Sequence, residues 1–235
     1  MNFDKSIREA ETRLFARYGL QPEESFVELP VSDVHLRILS VGIGPPVVML
    51  HGVSLSAAVW ASWLGYFAGY RVHLVELPGH GLSGPTAYRT GVVRDHTMML
   101  MDNLFDALGL SSAAVVGHSL GGMFALWFAA ARPKRVTSLV AIGEPAVALP
   151  GVKIRMPLSL MTVPVLGEVV LRTPTPRFVY RRLLGQGLSP FAAAVAPDDL
   201  LDVLRLAARR PGNARTTASL MHAIDGFRRP GQRAS

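Results

Sequence analysis

The pentapeptide Gly117-His118-Ser119-Leu120-Gly121 sets one serine between an apolar run, Ala113 to Val116, and a second apolar stretch that opens with Gly122 and Met123. On a tight strand-to-helix turn a serine needs glycine neighbours, because its backbone is strained and the flanking segments nearly touch; the turn lifts its hydroxyl above the sheet edge. The amides at the N-terminus of the following helix, beginning with Leu120 N–H, then point to where a tetrahedral oxyanion would form. The chemistry open to such a serine is attack on a carbonyl carbon through an acyl-enzyme. The chain has no cysteine, which removes disulfides, thiolate metal sites and a cysteine nucleophile together.

The elements that must hold this serine follow from hydrophobic periodicity. Residues 1–20 read as a short amphipathic helix ending at Gly19, and residues 26–29 and 34–41 as a pair of strands. Val47-Val48-Met49-Leu50 is a short continuous apolar run that ends at His51-Gly52, as a buried parallel strand would, and residues 70–77 repeat the pattern. Asp95 is placed to cap a helix with Met101, Leu104, Phe105 and Leu108 on one face, closed by Gly109. The strand at 113–116, a helix over 123–131 stopped by Pro133, and a fourth buried strand at 136–142 complete the alternation. Strands this uniformly apolar predict an α/β fold with a mostly parallel sheet and helices on both faces. From Pro145 onward Pro, Leu and Arg dominate, with helices expected at 164–171, 177–184, 198–209 and 215–227 and no clear strand. The predicted organisation is a core over 1–145 and a helical cap over 146–235.

Of 235 residues 49% are hydrophobic and 17% charged, enough to bury one substantial core. No apolar run reaches the roughly 18–20 residues of a membrane span, and the N-terminus lacks the apolar centre of a signal peptide, so a soluble, cytoplasmic protein is expected. The net charge of +7 is uneven: residues 1–150 hold 11 Lys/Arg against 12 Asp/Glu, and residues 151–235 hold 13 against 5. Those arginines are scattered through helix-like sequence without aromatic interleaving, which reads as a solvated face and not as a nucleic-acid groove.

On three motifs in order the chain resembles the α/β-hydrolase family: His51-Gly52-Val53 after an apolar strand, Glu76-Leu77-Pro78-Gly79-His80-Gly81-Leu82-Ser83 after the next, and the serine pentapeptide. The resemblance covers about residues 26–145. It implies that Ser119 is the nucleophile, that Val53 N–H and Leu120 N–H form the oxyanion hole, and that no metal or organic cofactor is required. Glu76 stands where the family usually has aspartate, at a structural position. The family order of serine, acid, histidine makes His51, His80 and His118 turn or packing residues and leaves His222 as the one histidine after Ser119, in helix-like sequence. Glu144, after the fourth strand, is the best-placed acid. Asp198, Asp199 and Asp202 read as the first turn of a cap helix.

The family fold continues beyond its cap with further strands that are not visible in this sequence, so a truncated member with an exposed sheet edge, prone to self-association, is expected. The implied substrate is a small acyl compound with an apolar portion, with Leu158, Leu160, Met161, Val165, Leu166 and Phe178 available to line its pocket. A carboxylic ester heads the alternatives, ahead of acyl transfer, perhydrolysis and carbon–carbon bond hydrolysis. A binding protein that has lost its triad is the reading from a different class. A serine at the turn speaks against dehalogenase and epoxide-hydrolase chemistry, where the family places aspartate.

Overall fold

The computed structural model describes residues 2–29, 34–143, 158–187 and 189–227. Six strands, β1 (Glu23–Leu29), β2 (Val34–Val41), β3 (Pro46–Leu50), β4 (Arg71–Val75), β5 (Ala113–His118) and β6 (Val136–Ile142), form one sheet in the order β1-β2-β4-β3-β5-β6. β1 and β2 pair antiparallel, as do β2 and β4; β4, β3, β5 and β6 run parallel. The expected mostly parallel sheet is thus present, with its opening strand pair as an antiparallel border.

Period-two alternation divides the sheet side chains between two cores. On one face Leu39, Val47, Met49, Val72, Leu74 and Val116 pack under α1 (Phe3–Ala16), the 3-10 segment Ala57–Phe67 and α7 (Asp198–Arg209). On the other, Leu36, Ile38, Val48, Leu50, Val75 and Val115 pack under α2 (Val93–Ala107), α3 (Leu120–Ala131) and α8 (Asn213–Phe227). α1 presents Ile7, Ala10, Leu14 and Phe15 at helical spacing to the first core, and the Asn2 side chain caps it by accepting from Lys5 N at 3.1 Å. α4 (Pro164–Arg172), α5 (Arg177–Gly187) and α6 (Pro190–Val195) complete the elements, with a short 3-10 stretch at Leu158–Thr162.

Three local expectations change. α2 begins at Val93, so Asp95 is not its cap but lies in the first turn, where its charge suits the helix dipole. α3 begins at Leu120, directly behind Ser119, three residues earlier than its apolar run suggested. β6 is not fully buried: Val136 and Leu139 pack against the second core, but Val140 is 50% exposed. The reason is topological, because among the described residues no strand pairs with its outer edge.

The C-terminal helices are not confined to a cap. Leu200, Leu201, Val203 and Leu204 of α7 share a core with α1, and Leu220, Ala223 and Ile224 of α8 share the core of α2 and α3. Arg13 of α1 pairs with Asp199 at 3.0 Å, and Arg210, just beyond α7, pairs with Asp4 at 2.7 Å. No helix among the described residues is long and apolar enough to cross a membrane.

Candidate active site

Ser119 is the N-cap of α3 and adopts φ +50° and ψ −113°, a left-handed conformation that costs a side-chain-bearing residue of order 1–3 kcal/mol. The surrounding bonds hold it there: Ser119 N donates to Ile142 O of β6 at 2.9 Å, and Met123 N donates back to Ser119 O at 3.0 Å. The glycines are required by contact. A Cβ on Gly117 would sit 2.4 Å from Gly121 O, and one on Gly121 would sit 2.3 Å from Leu50 O, so the helix start is pressed against β3 and β5. Because Leu120 is the first residue of α3, its N–H has no acceptor within the helix.

The second loop approaches from β3. A Cβ on Gly52 would lie 3.3 Å from Ser119 Cβ and 2.7 Å from His118 Nδ1, so residues 52–53 run directly beside the serine. The structure thus sets Gly52, which leads into Val53, beside Ser119, and Leu120 directly follows that serine at the start of α3. Ser54, next in the loop, has φ +59° and is the other described non-glycine residue with positive φ. Its N–H donates to His80 Nε2 at 3.2 Å, and its carbonyl accepts from Tyr180 O–H of α5 at 3.4 Å.

His51 and His80, assigned by sequence to turns or packing, have specific bonds. His51 Nδ1 meets Gly52 O at 2.8 Å and its Nε2 accepts from Leu77 N at 3.1 Å; His80 Nδ1 meets Pro78 O at 3.0 Å. Burial holds His51 well below the usual histidine range, with His80 and His118 nearby acting in the same direction, and burial pushes His80 down to about 4. His118, also lowered by burial, has its Nδ1 buried without a hydrogen-bond partner.

The remaining site candidates are placed differently. His222 lies exposed on α8 with Nδ1 3.0 Å from Thr162 O, and among the described residues no histidine or carboxylate hydrogen-bonds the Ser119 hydroxyl. Glu144 and the Leu158 side chain lie outside the described residues. Of the apolar residues expected to line a pocket, Met161 is buried, whereas Val165 and Phe178 are 77% and 76% exposed. Asp198 and Asp199 lie in the first turn of α7 and Asp202 beyond it, and the three are engaged by Arg177, Arg181, Arg13 and Arg205. Among the described residues no group of three or more His, Asp or Glu side chains could hold a metal ion.

The turn that follows β4 is fixed from several sides. Glu76 Oε2 accepts from Leu82 N at 2.6 Å, Ser83 Oγ donates to Glu76 O at 2.6 Å, and Arg37 N donates to Ser83 Oγ at 2.8 Å. Asn213 Nδ2 reaches Gly81 O at 2.9 Å from α8. No single motif could have revealed this convergence, because its partners lie up to 132 residues apart.

A strained serine on a strand-to-helix turn, on a mostly parallel sheet and beside a glycine loop, defines a class that sequence comparison also identifies. Residues 45–161 match the alpha/beta hydrolase fold family, and the chain belongs to it. It is 33% identical over 112 residues to the pimeloyl-[acyl-carrier protein] methyl ester esterase of Nitrosospira multiformis, covering 47% of this chain and 42% of that protein. It is 35% identical over 144 residues to the 2-hydroxy-6-oxo-6-phenylhexa-2,4-dienoate hydrolase of Comamonas testosteroni, covering 58% and 46%. The aligned segments span less than half the length of these relatives. Among solved structures, carboxylesterase CesB from Bacillus subtilis superposes with a TM-score of 0.64 at 19% identity, covering 92% of this chain and 71% of that one; at this identity the likeness shows the fold.

Proposed function

We propose that this chain carries the nucleophile and oxyanion hole of a serine hydrolase acting on a carboxylic ester or related small acyl substrate with an apolar portion. The observation that carries the reading is Ser119 at φ +50°, flanked by glycines that tolerate no Cβ and set beside the Gly52-Val53 loop. Ser119 Oγ attacks the carbonyl carbon and gives up its proton, and the amides of Val53 and Leu120 stabilise the oxyanion. Collapse breaks the ester C–O bond and the alcohol leaves with that proton; water then cleaves the acyl-Ser119 ester to release the carboxylic acid and restore the serine hydroxyl. These steps need no cofactor. A methyl ester esterase among the relatives supports ester chemistry. Carbon–carbon bond hydrolysis is the second reading, favoured by the Comamonas relative.

The test is hydrolysis of p-nitrophenyl butyrate by the protein, its Ser119→Ala variant and its His222→Ala variant. Turnover that disappears in Ser119→Ala is the expected result. Loss in His222→Ala as well assigns that histidine the base role, and turnover unchanged in Ser119→Ala rejects the proposal. Soluble, folded protein with no turnover above the Ser119→Ala background favours a non-catalytic binding role.

A further inference from the structure

We infer that His51 and His80 form a reciprocal clamp that positions the oxyanion hole, each imidazole belonging to one of two neighbouring loops, the first of which runs beside Ser119, and gripping the backbone of the other. His51, on the loop after β3, accepts from Leu77 N of the turn after β4 at 3.1 Å. His80, on that turn, accepts from Ser54 N of the first loop at 3.2 Å. Each ring turns its Nδ1 to a carbonyl of its own loop, Gly52 O at 2.8 Å and Pro78 O at 3.0 Å. The ring centroids lie 5.0 Å apart, and both side chains are buried.

This geometry fixes the protonation pattern. A carbonyl only accepts and an amide N–H only donates, so both rings must carry their proton on Nδ1 and keep Nε2 bare. A second proton on either ring would set N–H against N–H in a buried space. The clamp acts where strain must be held: Gly52 and Ser54 bracket Val53, and Ser54 keeps a left-handed backbone that its own side chain disfavours. With Gly52 O held by His51 and Ser54 N held by His80, the Val53 N–H between them has one direction. The turn supplying His80 is itself fixed through Glu76, Ser83 and Asn213, so the clamp has a rigid backing.

The catalytic consequence rests on the serine-hydrolase reading above; the clamp itself does not. Two measurements separate them. Imidazole nitrogen NMR of the wild-type protein reads the tautomers directly: both histidines are expected in the Nδ1–H form, and an Nε2–H form at either one overturns the clamp whatever the activity. The second compares His80→Phe, which fills the space without an acceptor, with His80→Gln, whose amide oxygen can accept from Ser54 N. His80→Phe is expected to lower kcat about 100-fold, as loss of an oxyanion donor does, with KM nearly constant and a matching loss of affinity for a trifluoromethyl ketone. His80→Gln is expected to recover most of that loss. Wild-type kcat in His80→Phe, or equal losses in both variants, rejects the positioning role. Absence of Ser119-dependent turnover in the wild type rejects the hydrolase reading and the catalytic consequence drawn from it, and leaves the tautomers to decide the clamp.

Discussion

Arg37 Nη1 lies 3.3 Å from Glu76 Oε2, with the two side chains only 3% and 0% exposed. The same guanidinium makes a bidentate pair with Glu11 of α1, at 2.9 and 2.7 Å, so one cation ties the N-terminal helix to the turn that carries His80. Its Nε also donates to Glu24 Oε1 at 2.5 Å, and the planar fork of arginine suits this task, since it serves three carboxylates in different directions at once. Burial pushes Glu76 up to about 7, against the pull of Arg37.

Removing the shared cation should therefore be costly. Arg37→Met leaves Glu11 and Glu76 buried without their partner and is expected to destabilise the fold by about 3–5 kcal/mol. For a chain of this size that is a fall in Tm of roughly 10 °C, read by thermal denaturation. A fall no larger than that of a surface substitution would show that the cluster contributes nothing net.

The two kinds of buried acid–base group make opposite contributions to stability as pH changes. His80 is depressed to about 4, so the unfolded chain binds its proton first; its contribution is full above pH 6.5 and lost as pH falls toward 4. That loss is of order 3 kcal/mol. Glu76 is raised to about 7, so its contribution is full below pH 4.5 and lost as pH rises toward 7. In the wild type the two offset between pH 4.5 and 6.5. Glu76→Gln removes the compensating slope, and its Tm is expected to fall more steeply on acidification than the wild type's; parallel Tm–pH curves for the two proteins would contradict the assignment.

At the Ser119 turn the limiting factor is space. Gly121→Ala puts a methyl group 2.3 Å from Leu50 O, and the backbone on both sides belongs to the sheet and to α3. A loss of about 3 kcal/mol or failure to fold is expected. Gly122→Ala, whose nearest contact would be 3.1 Å, should be milder. Equal stabilities for the two variants, by chemical denaturation, would mean that the turn is looser than its geometry states.

Local pattern and long-range pairing differ in how far the sequence reveals them. The serine turn, the two glycine loops and the strands are legible because each is set by a few adjacent residues: Gly117 and Gly121 by contact, and Val47 to Leu50 by burial on both faces. The 3-10 segment Ala57–Phe67 escaped because its apolar residues follow no clear period. α6 escaped because it has only six residues, although Ser189 caps it by accepting from Ala192 N. Arg37 gave no signal at all, since its partners Glu24, Glu11 and Glu76 lie 13, 26 and 39 residues away. His51 and His80 were read as filling their turns; their pairing needs two loops brought side by side by β3 and β4, which no local window contains.

β6 supplies the last prediction. Its segment Val136–Ile142 contains neither a charged residue nor a proline, the devices that usually blunt a free strand edge. Val140 and Ile142 line an apolar groove of about 460 Å³ with Val116, Trp63 and Tyr70. Antiparallel pairing of β6 with β6 of a second copy, centred on Leu139, would set Ser138 opposite Val140 and join the two grooves on one face. With no like charges opposed, nothing along the strand resists it. This chain is therefore expected to associate with rising concentration in sedimentation velocity. Val140→Lys should weaken that association at least about tenfold, equivalent to about 1.4 kcal/mol, by placing two cations beside the shared edge. A folded protein that stays monomeric throughout, or association that Val140→Lys leaves unchanged, would rule out pairing through β6.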